Sequence, residues 1–373
     1  MKSVIYIFIV LLSIVSGSCV TQFTPQTNEE SDMLAVEGLI TNQRGINTVI
    51  LSRSMPLASK NTAIPAIGYS VTITDDSGNF YPLSEKAPGT YITDSISFTG
   101  IVGRKYKLTI RSNNFNTPNY TFESLPLELK PVPPIDSVYY KKVIIESGTF
   151  PERNGCQIYL DTHDPQNECK FYRWDYTETW EFHLPYLVAN NVCWISDKSS
   201  VINIKTTNSL SEDKIIQYPL KFISPNTDRL SVNYSILVNQ YSLNEDEYNY
   251  WSKIQNISEE VGTLYDITPA SIPGNIFCLE DPEKTVLGYF SVSSKFSKRI
   301  FIKENFTGLI YLYGQCPHDS VWLDPKDTPG FNSTHWIIID GSSRRPPYWV
   351  LTDNKGCADC TVRGTNVKPT WWK

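Results

Sequence analysis

Cys357-Ala-Asp-Cys360 is the tightest chemical motif in the sequence. Two thiols at this spacing do redox work when a helix N-terminus stabilises one of them as thiolate. Gly356 before the pair and Thr-Val-Arg-Gly after it predict no helix there. Zinc is the second chemistry open to the pair, because Cys316 and His318 would complete a four-ligand set with it. Disulfide bonding is the third and the expected one, so neither a metal nor any other cofactor is assigned.

Carboxylates offer another route. Asp175, Glu178 and Glu181 lie within seven residues of one another, and glycoside hydrolysis needs two such groups about 5–9.5 Å apart. A solvated sheet face explains them as well. His163, His183, His318 and His335 have no partner one helical turn away. No nucleophile elbow, zinc-protease helix, phosphate loop or dinucleotide fingerprint is present, so no catalytic residue is assigned.

These carboxylates sit in a run whose pattern is clearer than their chemistry. Tyr172, Trp174, Tyr176, Trp180 and Phe182 recur at period two, while Arg173, Asp175, Thr177 and Glu181 take the opposite face. That is a long antiparallel strand. Its aromatic face has two readings: a stacking platform for a glycan, centred on Tyr172, Trp174 and Trp180, or sheet core. Core is the expectation.

The rest of the chain is read the same way. Short alternating runs such as Tyr69-Ser-Val-Thr-Ile-Thr and Arg104-Lys-Tyr-Lys-Leu-Thr-Ile-Arg, with turns between them, fill residues 33–130. They predict a β-sandwich of immunoglobulin-like or transthyretin-like kind. Four prolines, Pro126, Pro131, Pro133 and Pro134, make 131–136 a linker. Residues 137–373 then form a larger β-rich α+β domain. Its one clear helix is predicted from the Ser242-Leu-Asn-Glu245 capping box, the face of Tyr248, Trp251, Ile254 and Ile257, and a stop at Gly262. The fold class is therefore mainly β.

The start of the chain speaks to location. Lys2, the apolar run Val4–Leu12 and the small residues Gly17 and Ser18 before Cys19 form a lipoprotein signal over 1–18. Cys19 would carry the acyl chains, palmitate among them, that anchor it in a membrane. Residues 19–32 are a polar tether. Export to an oxidising compartment makes Cys156, Cys169, Cys193, Cys278, Cys316, Cys357 and Cys360 structural cysteines, and their odd number leaves at least one thiol unpaired. A net charge of −6 without a basic cluster excludes nucleic acid as a partner.

Several segments carry a resemblance. Val36-Glu-Gly-Leu-Ile-Thr, Pro134-Ile-Asp-Ser-Val, Arg173-Trp-Asp-Tyr, Tyr234-Ser-Ile-Leu-Val-Asn-Gln-Tyr-Ser-Leu, Gly274-Asn-Ile, Leu287-Gly-Tyr-Phe and the tail Cys357 to Trp372 follow in order. The chain resembles the Bacteroidota lipoproteins grouped as domain-of-unknown-function family 4249. The resemblance implies an outer-membrane location and a TonB-dependent receptor as partner, and it brings no catalytic residues. Glu29, Glu30 and Asp32 come about ten residues after Cys19, so the cell-surface and periplasmic faces of that membrane both stay open. The expected role is a non-enzymatic accessory or binding subunit of a TonB-dependent transporter, with Trp371 and Trp372 as a candidate partner contact. A glycan-binding or glycan-degrading surface protein and an adhesin are the alternatives.

Overall fold

The computed structural model describes residues 33–54, 64–96, 98–112, 119–145, 153–184, 188–260, 272–309, 319–322, 337–341, 348–352 and 354–373. The signal 1–18, Cys19, the tether 19–32, Gly262, Cys316, His318 and His335 lie outside them.

The first half forms short strands. They are β1 (Leu34–Ile40), β2 (Thr48–Arg53), β3 (Ile64–Pro65), β4 (Tyr69–Asp75), β5 (Phe80–Pro82), β6 (Ser84–Ala87), β7 (Thr90–Ile92), β8 (Lys105–Ser112), β9 (Thr121–Ser124) and β10 (Leu127–Glu128). The second half adds β11 (Ile135–Ile145), β12 (Arg153–His163), β13 (Phe171–His183), β14 (Val192–Lys198), β15 (Asn203–Thr206), β16 (Lys214–Ile223) and β17 (Asn233–Ser242). Helix α1 (Glu245–Glu260) follows, then β18 (Ile276–Cys278), β19 (Leu287–Val292) and β20 (Lys295–Ile302). Strands β21 (Asp319–Trp322), β22 (Ile337–Gly341) and β23 (Tyr348–Thr352) make a small sheet before the one-turn helix α2 (Lys355–Ala358). The chain is mainly β, as the alternation predicts. No described helix is long and apolar enough to cross a membrane.

Two sheets share the first core. One runs β19-β1-β2-β7-β6 and the other β18-β9-β8-β4-β5. Val36, Ile40, Val49 and Leu51 from the first meet Val71, Ile73, Leu108 and Ile110 from the second. The second core lies between β11-β12-β16 and β14-β13-β17-β20, where Val138, Ile158 and Leu160 meet Trp174, Trp180, Tyr234 and Ile236. Each pair buries one face per sheet, which is what period-two alternation delivers.

The second half of the chain does not keep to itself. Contrary to a domain running unbroken over 137–373, β18 pairs with β9 and β19 runs parallel to β1, so residues 276–292 complete the first body. Glycine makes the return possible. Gly288 has φ +88°, and a Cβ there would lie 2.0 Å from the Val36 carbonyl oxygen. Asn275 seals the crossing: its amide donates to the Phe290 carbonyl (2.9 Å) and accepts from the Phe290 N–H (2.9 Å). The 131–136 segment is likewise tied down, with the Gln240 amide donating to the Pro133 carbonyl at 2.9 Å.

Two helix expectations need correction. Ser242 ends β17 and caps nothing: its hydroxyl donates to the Lys130 carbonyl (2.8 Å) and accepts from the Ser294 N–H (3.2 Å). Helix α1 starts at Glu245, and its first turn holds Glu245, Asp246 and Glu247, which suits the positive end of the helix dipole. Around Cys357, where no helix was expected, Asn354 caps α2 by accepting from the Gly356 N–H at 2.9 Å.

Candidate functional site

Strand β13 is covered on both sides, and its two faces do different things. Tyr172, Trp174 and Trp180 are 0%, 1% and 4% exposed, so the aromatic face is core and offers no platform to a ligand. The Trp174 indole donates to Gln240 Oε1 at 2.8 Å, and the Tyr172 hydroxyl to Asp213 at 2.9 Å, which satisfies both polar atoms inside the core. The polar face, expected to be solvated, instead lines a cavity of about 700 Å³ between the two bodies.

Each wall of this cleft has an identifiable support. Glu37 and Leu39 project from the outer face of β1, and Tyr289 and Ser291 from the neighbouring β19. Arg173, Asp175 and Thr177 of β13 and Leu237, Asn239 and Tyr241 of β17 face them across the gap. Residues 198–203 close one side. They are held by the Ser199 N–H to the Tyr176 carbonyl (2.9 Å) and by Gln255 of α1 to the Ile202 carbonyl (3.0 Å). Helix α1 is seated through Tyr248 and Trp251, which pack on Phe171, Tyr241 and Leu243. A shallower groove of about 320 Å³ along Ile46 and Ile50 shares Glu37, Leu39, Lys198, Tyr241 and Lys295 with the cavity.

Arg173 is the most prominent group. Its guanidinium lies 5.1 Å from the Tyr241 ring centre and 4.6 Å from that of Trp251, an arrangement that fixes the plane of the fork. Asp175 is held by the Asn239 amide at 2.6 Å, and Asn239 in turn accepts from the Ser297 hydroxyl at 2.7 Å. Burial raises the Tyr241 hydroxyl's pKa, and the adjacent Asp175 carboxylate adds to the shift.

Glu247 lies behind this wall. It is 0% exposed, and its Oε1 accepts from the Ser291 hydroxyl (2.6 Å) and the Trp251 indole (3.4 Å). Its Oε2 and the Tyr289 hydroxyl are both buried without a hydrogen bond. Desolvation raises the Glu247 pKa, and the nearby Arg173 charge only partly opposes the shift. A raised pKa means the folded state holds this proton more tightly than the unfolded chain. The charged form therefore withholds stability above the raised value, and the loss vanishes as pH falls below the ordinary 4.5. Glu247→Gln is expected to raise the thermal midpoint relative to the parent at pH 8, with the gap closing toward pH 4. A variant less stable than the parent at pH 8, with the loss vanishing toward pH 4, would instead show that the charge itself is used, through Arg173.

The other residues singled out by sequence do not meet here. Glu178 falls on the core face of β13, 3% exposed, where Arg229 pairs with it at 2.9 Å and Tyr234 donates to it at 2.9 Å. Asp175 and Glu181 share the other face, but six residues of strand put them about 20 Å apart. No glycosidic carboxylate pair is made from these three. His163 and His183 make exposed pairs with Asp136 and Glu181, each at 2.7 Å.

The tail packs on its own domain. Trp372 is 6% exposed, its indole donates to Glu181 Oε2 at 3.0 Å, and its ring meets Phe301 edge-on at 5.6 Å. As a partner contact Trp372 is therefore corrected. Trp371, 39% exposed over the Arg299 guanidinium at 3.5 Å, keeps the surface. Cys360 is bonded to Cys193 rather than set beside Cys357 for zinc or redox work, and Cys357 is itself disulfide-bonded. Among the described residues no cluster could hold a metal ion. Cys156, Cys169 and Cys278 are buried free thiols, and burial pushes the first two up to about 12, far from nucleophilic.

Sequence reasoning missed the cleft because it depends on β19 joining β1, a pairing between residues about 250 apart. The available signal was the quoted segments themselves: Val36-Glu-Gly-Leu, Arg173-Trp-Asp, Asn239-Gln-Tyr and Leu287-Gly-Tyr each place a residue in it. Comparison with curated proteins finds no match. A family model described as a domain of unknown function matches residues 20–299, which takes in every cleft residue and stops short of the tail. On that match, which spans well over half of its length, the chain belongs to the family Domain of unknown function (DUF4249).

Proposed function

We propose that this chain is a Bacteroidota lipoprotein, held at the outer membrane through acylated Cys19, that binds cargo for a TonB-dependent transporter without transforming it. The observation that carries the binding role is the cleft between the two bodies, about 700 Å³ in volume. That size suits a small molecule, and seams between domains are where such sites are usually built. Its polar groups are fixed by the protein: Asp175 by Asn239, Ser291 by the buried Glu247, Arg173 by two rings. Fixed groups of this kind orient a ligand at low entropic cost. The lipoprotein signal before Cys19 and the buried Cys193–Cys360 bond support export, and the family resemblance supplies the transporter. Either face of the outer membrane fits the reading.

A mild-detergent pulldown of the tagged native protein from its own membranes, read by mass spectrometry, tests it. A TonB-dependent receptor in stoichiometric amount is the expected result. Recovery of the chain alone would overturn the accessory role and leave a free-standing binder or adhesin. The glycan platform of Tyr172, Trp174 and Trp180 is no longer part of any reading, because those rings are core.

A further inference from the structure

Arg173 carries the most specific information in the cleft. An arginine buried against two aromatic rings normally spends its in-plane N–H groups on a carboxylate, a backbone carbonyl or water. Here the guanidinium is half-buried against Tyr241 and Trp251, and among the described residues it has no hydrogen-bond acceptor and no ion pair. Glu247 is near enough to feel its charge but lies beyond ion-pairing distance. The two rings cover part of the guanidinium, and Arg173 lines the cavity wall. The Tyr289 hydroxyl, on a residue 6% exposed in the same wall, is likewise buried without a partner. Arg173 thus brings to the cavity donors that no described residue accepts from, and the cavity wall also holds this unpartnered hydroxyl.

We propose that the ligand of this cleft carries a carboxylate, which the Arg173 guanidinium binds. This rests on the cleft being the binding site. Charge decides between anions. Three cations that form no ion pair among the described residues line the cavity, Arg173, Lys198 and Lys295, against the carboxylates of Glu37 and Asp175. A surplus of one positive charge suits a monoanion or a zwitterion, whereas a phosphate dianion would meet Glu37 and Asp175 with little to offset them. The planar fork also matches a carboxylate's two oxygens in bidentate fashion, which a lysine in its place would not.

Acetate, the smallest carboxylate, is the probe. The Arg173 Nε–H signal of the full mature chain would be followed by ¹⁵N NMR, assigned by its loss in Arg173→Lys, during titration with sodium acetate at constant ionic strength. The expected result is a saturable shift with a midpoint in the millimolar range, about what a single charged anchor gives. Acetamide should produce none. Arg173→Lys should weaken acetate binding, followed through Trp251 fluorescence, by at least tenfold with the thermal midpoint unchanged. A shift no larger than sodium chloride gives, equal shifts from acetamide, or undiminished binding in Arg173→Lys would each overturn the proposal. Inorganic phosphate saturating at tenfold lower concentration than acetate would overturn it as well, in favour of a phosphoryl group. The transporter pulldown reads a partner and not this cleft, so the two readings fail separately.

Discussion

Trp174→Ala is expected to destabilise the second body by about 3–5 kcal/mol, the range for removing a large buried aromatic. The indole is 1% exposed, lies nearly parallel to Tyr172 at 5.8 Å, and packs on Tyr218 at 4.6 Å. Its loss opens a cavity that strands on both sides prevent from collapsing. It also orphans Gln240 Oε1, which accepts the indole N–H at 2.8 Å, and a buried unsatisfied acceptor adds about 1–3 kcal/mol. Gln240 cannot turn to find another donor, because its amide is committed to the Pro133 carbonyl (2.9 Å) and Thr162 (3.0 Å). Urea unfolding followed by tryptophan fluorescence reads this directly: all nine tryptophans lie at or after Trp174, so the first body up to residue 130 is silent. An exposed platform residue would change stability by no more than about 0.5 kcal/mol. A loss below 1 kcal/mol would sink the assignment of this face to the core.

That strand also shows what a sequence can say and where it stops. Period two fixed which residues of Phe171–His183 share a face, and it identified Tyr69–Asp75 and Lys105–Ser112 with the correct side inward. It could not say what covers the other face. Alternation of aromatic with polar residues reads as core against solvent, yet Arg173, Asp175 and Thr177 face a second sheet across a cleft. Polar residues lining a ligand cavity and polar residues in water have the same pattern. Helix α1 was legible from its apolar spacing, while its first residue was misplaced because Ser242 was already spent on strand-end hydrogen bonds. Pairings across long separations, β1 with β19 and Cys193 with Cys360, leave no local trace at all.

Two of the buried acidic side chains, Glu178 and Glu247, make the contrast between structure and site concrete. Glu178 is fully compensated: Arg229 grips it through two nitrogens at 2.9 and 3.1 Å, and Tyr234 and Lys221 complete the shell. Breaking that group would cost stability, and nothing about it invites a ligand. Glu247 has one oxygen satisfied and one not, behind a wall that holds the unpartnered Tyr289 hydroxyl and Arg173, which has no acceptor among the described residues. Incomplete compensation next to a cavity leaves polar groups available to a ligand, which a closed pair such as Glu178 and Arg229 does not.

Cys193→Ala together with Cys360→Ala is expected to destabilise the second body by about 2–5 kcal/mol, near the upper end of what one disulfide contributes. The bond joins residues 167 apart, so its loss frees a very long loop in the unfolded chain. Both cysteines are fully buried, and alanine leaves no unpaired polar group behind. The bond is also what places the tail. Without it, residues 354–373 are left to the Cys357 disulfide and to non-covalent contacts, among them the Trp194–Thr365 backbone pair (2.9 Å each way), the Arg363–Asp228 ion pair (2.9 Å) and the Trp372–Glu181 hydrogen bond (3.0 Å). Local opening of that segment should therefore precede global unfolding, and trypsin should cut at Lys355 or Arg363 under native conditions only in the double variant. A loss under 1 kcal/mol with unchanged proteolysis would mean that the non-covalent contacts suffice. The free thiols cannot substitute for the missing bond, since Cys156, Cys169 and Cys278 are buried, and burial keeps the first two protonated. If stability of this body depends on oxidation in this way, the proposed membrane location has a consequence that can be measured in the folded chain.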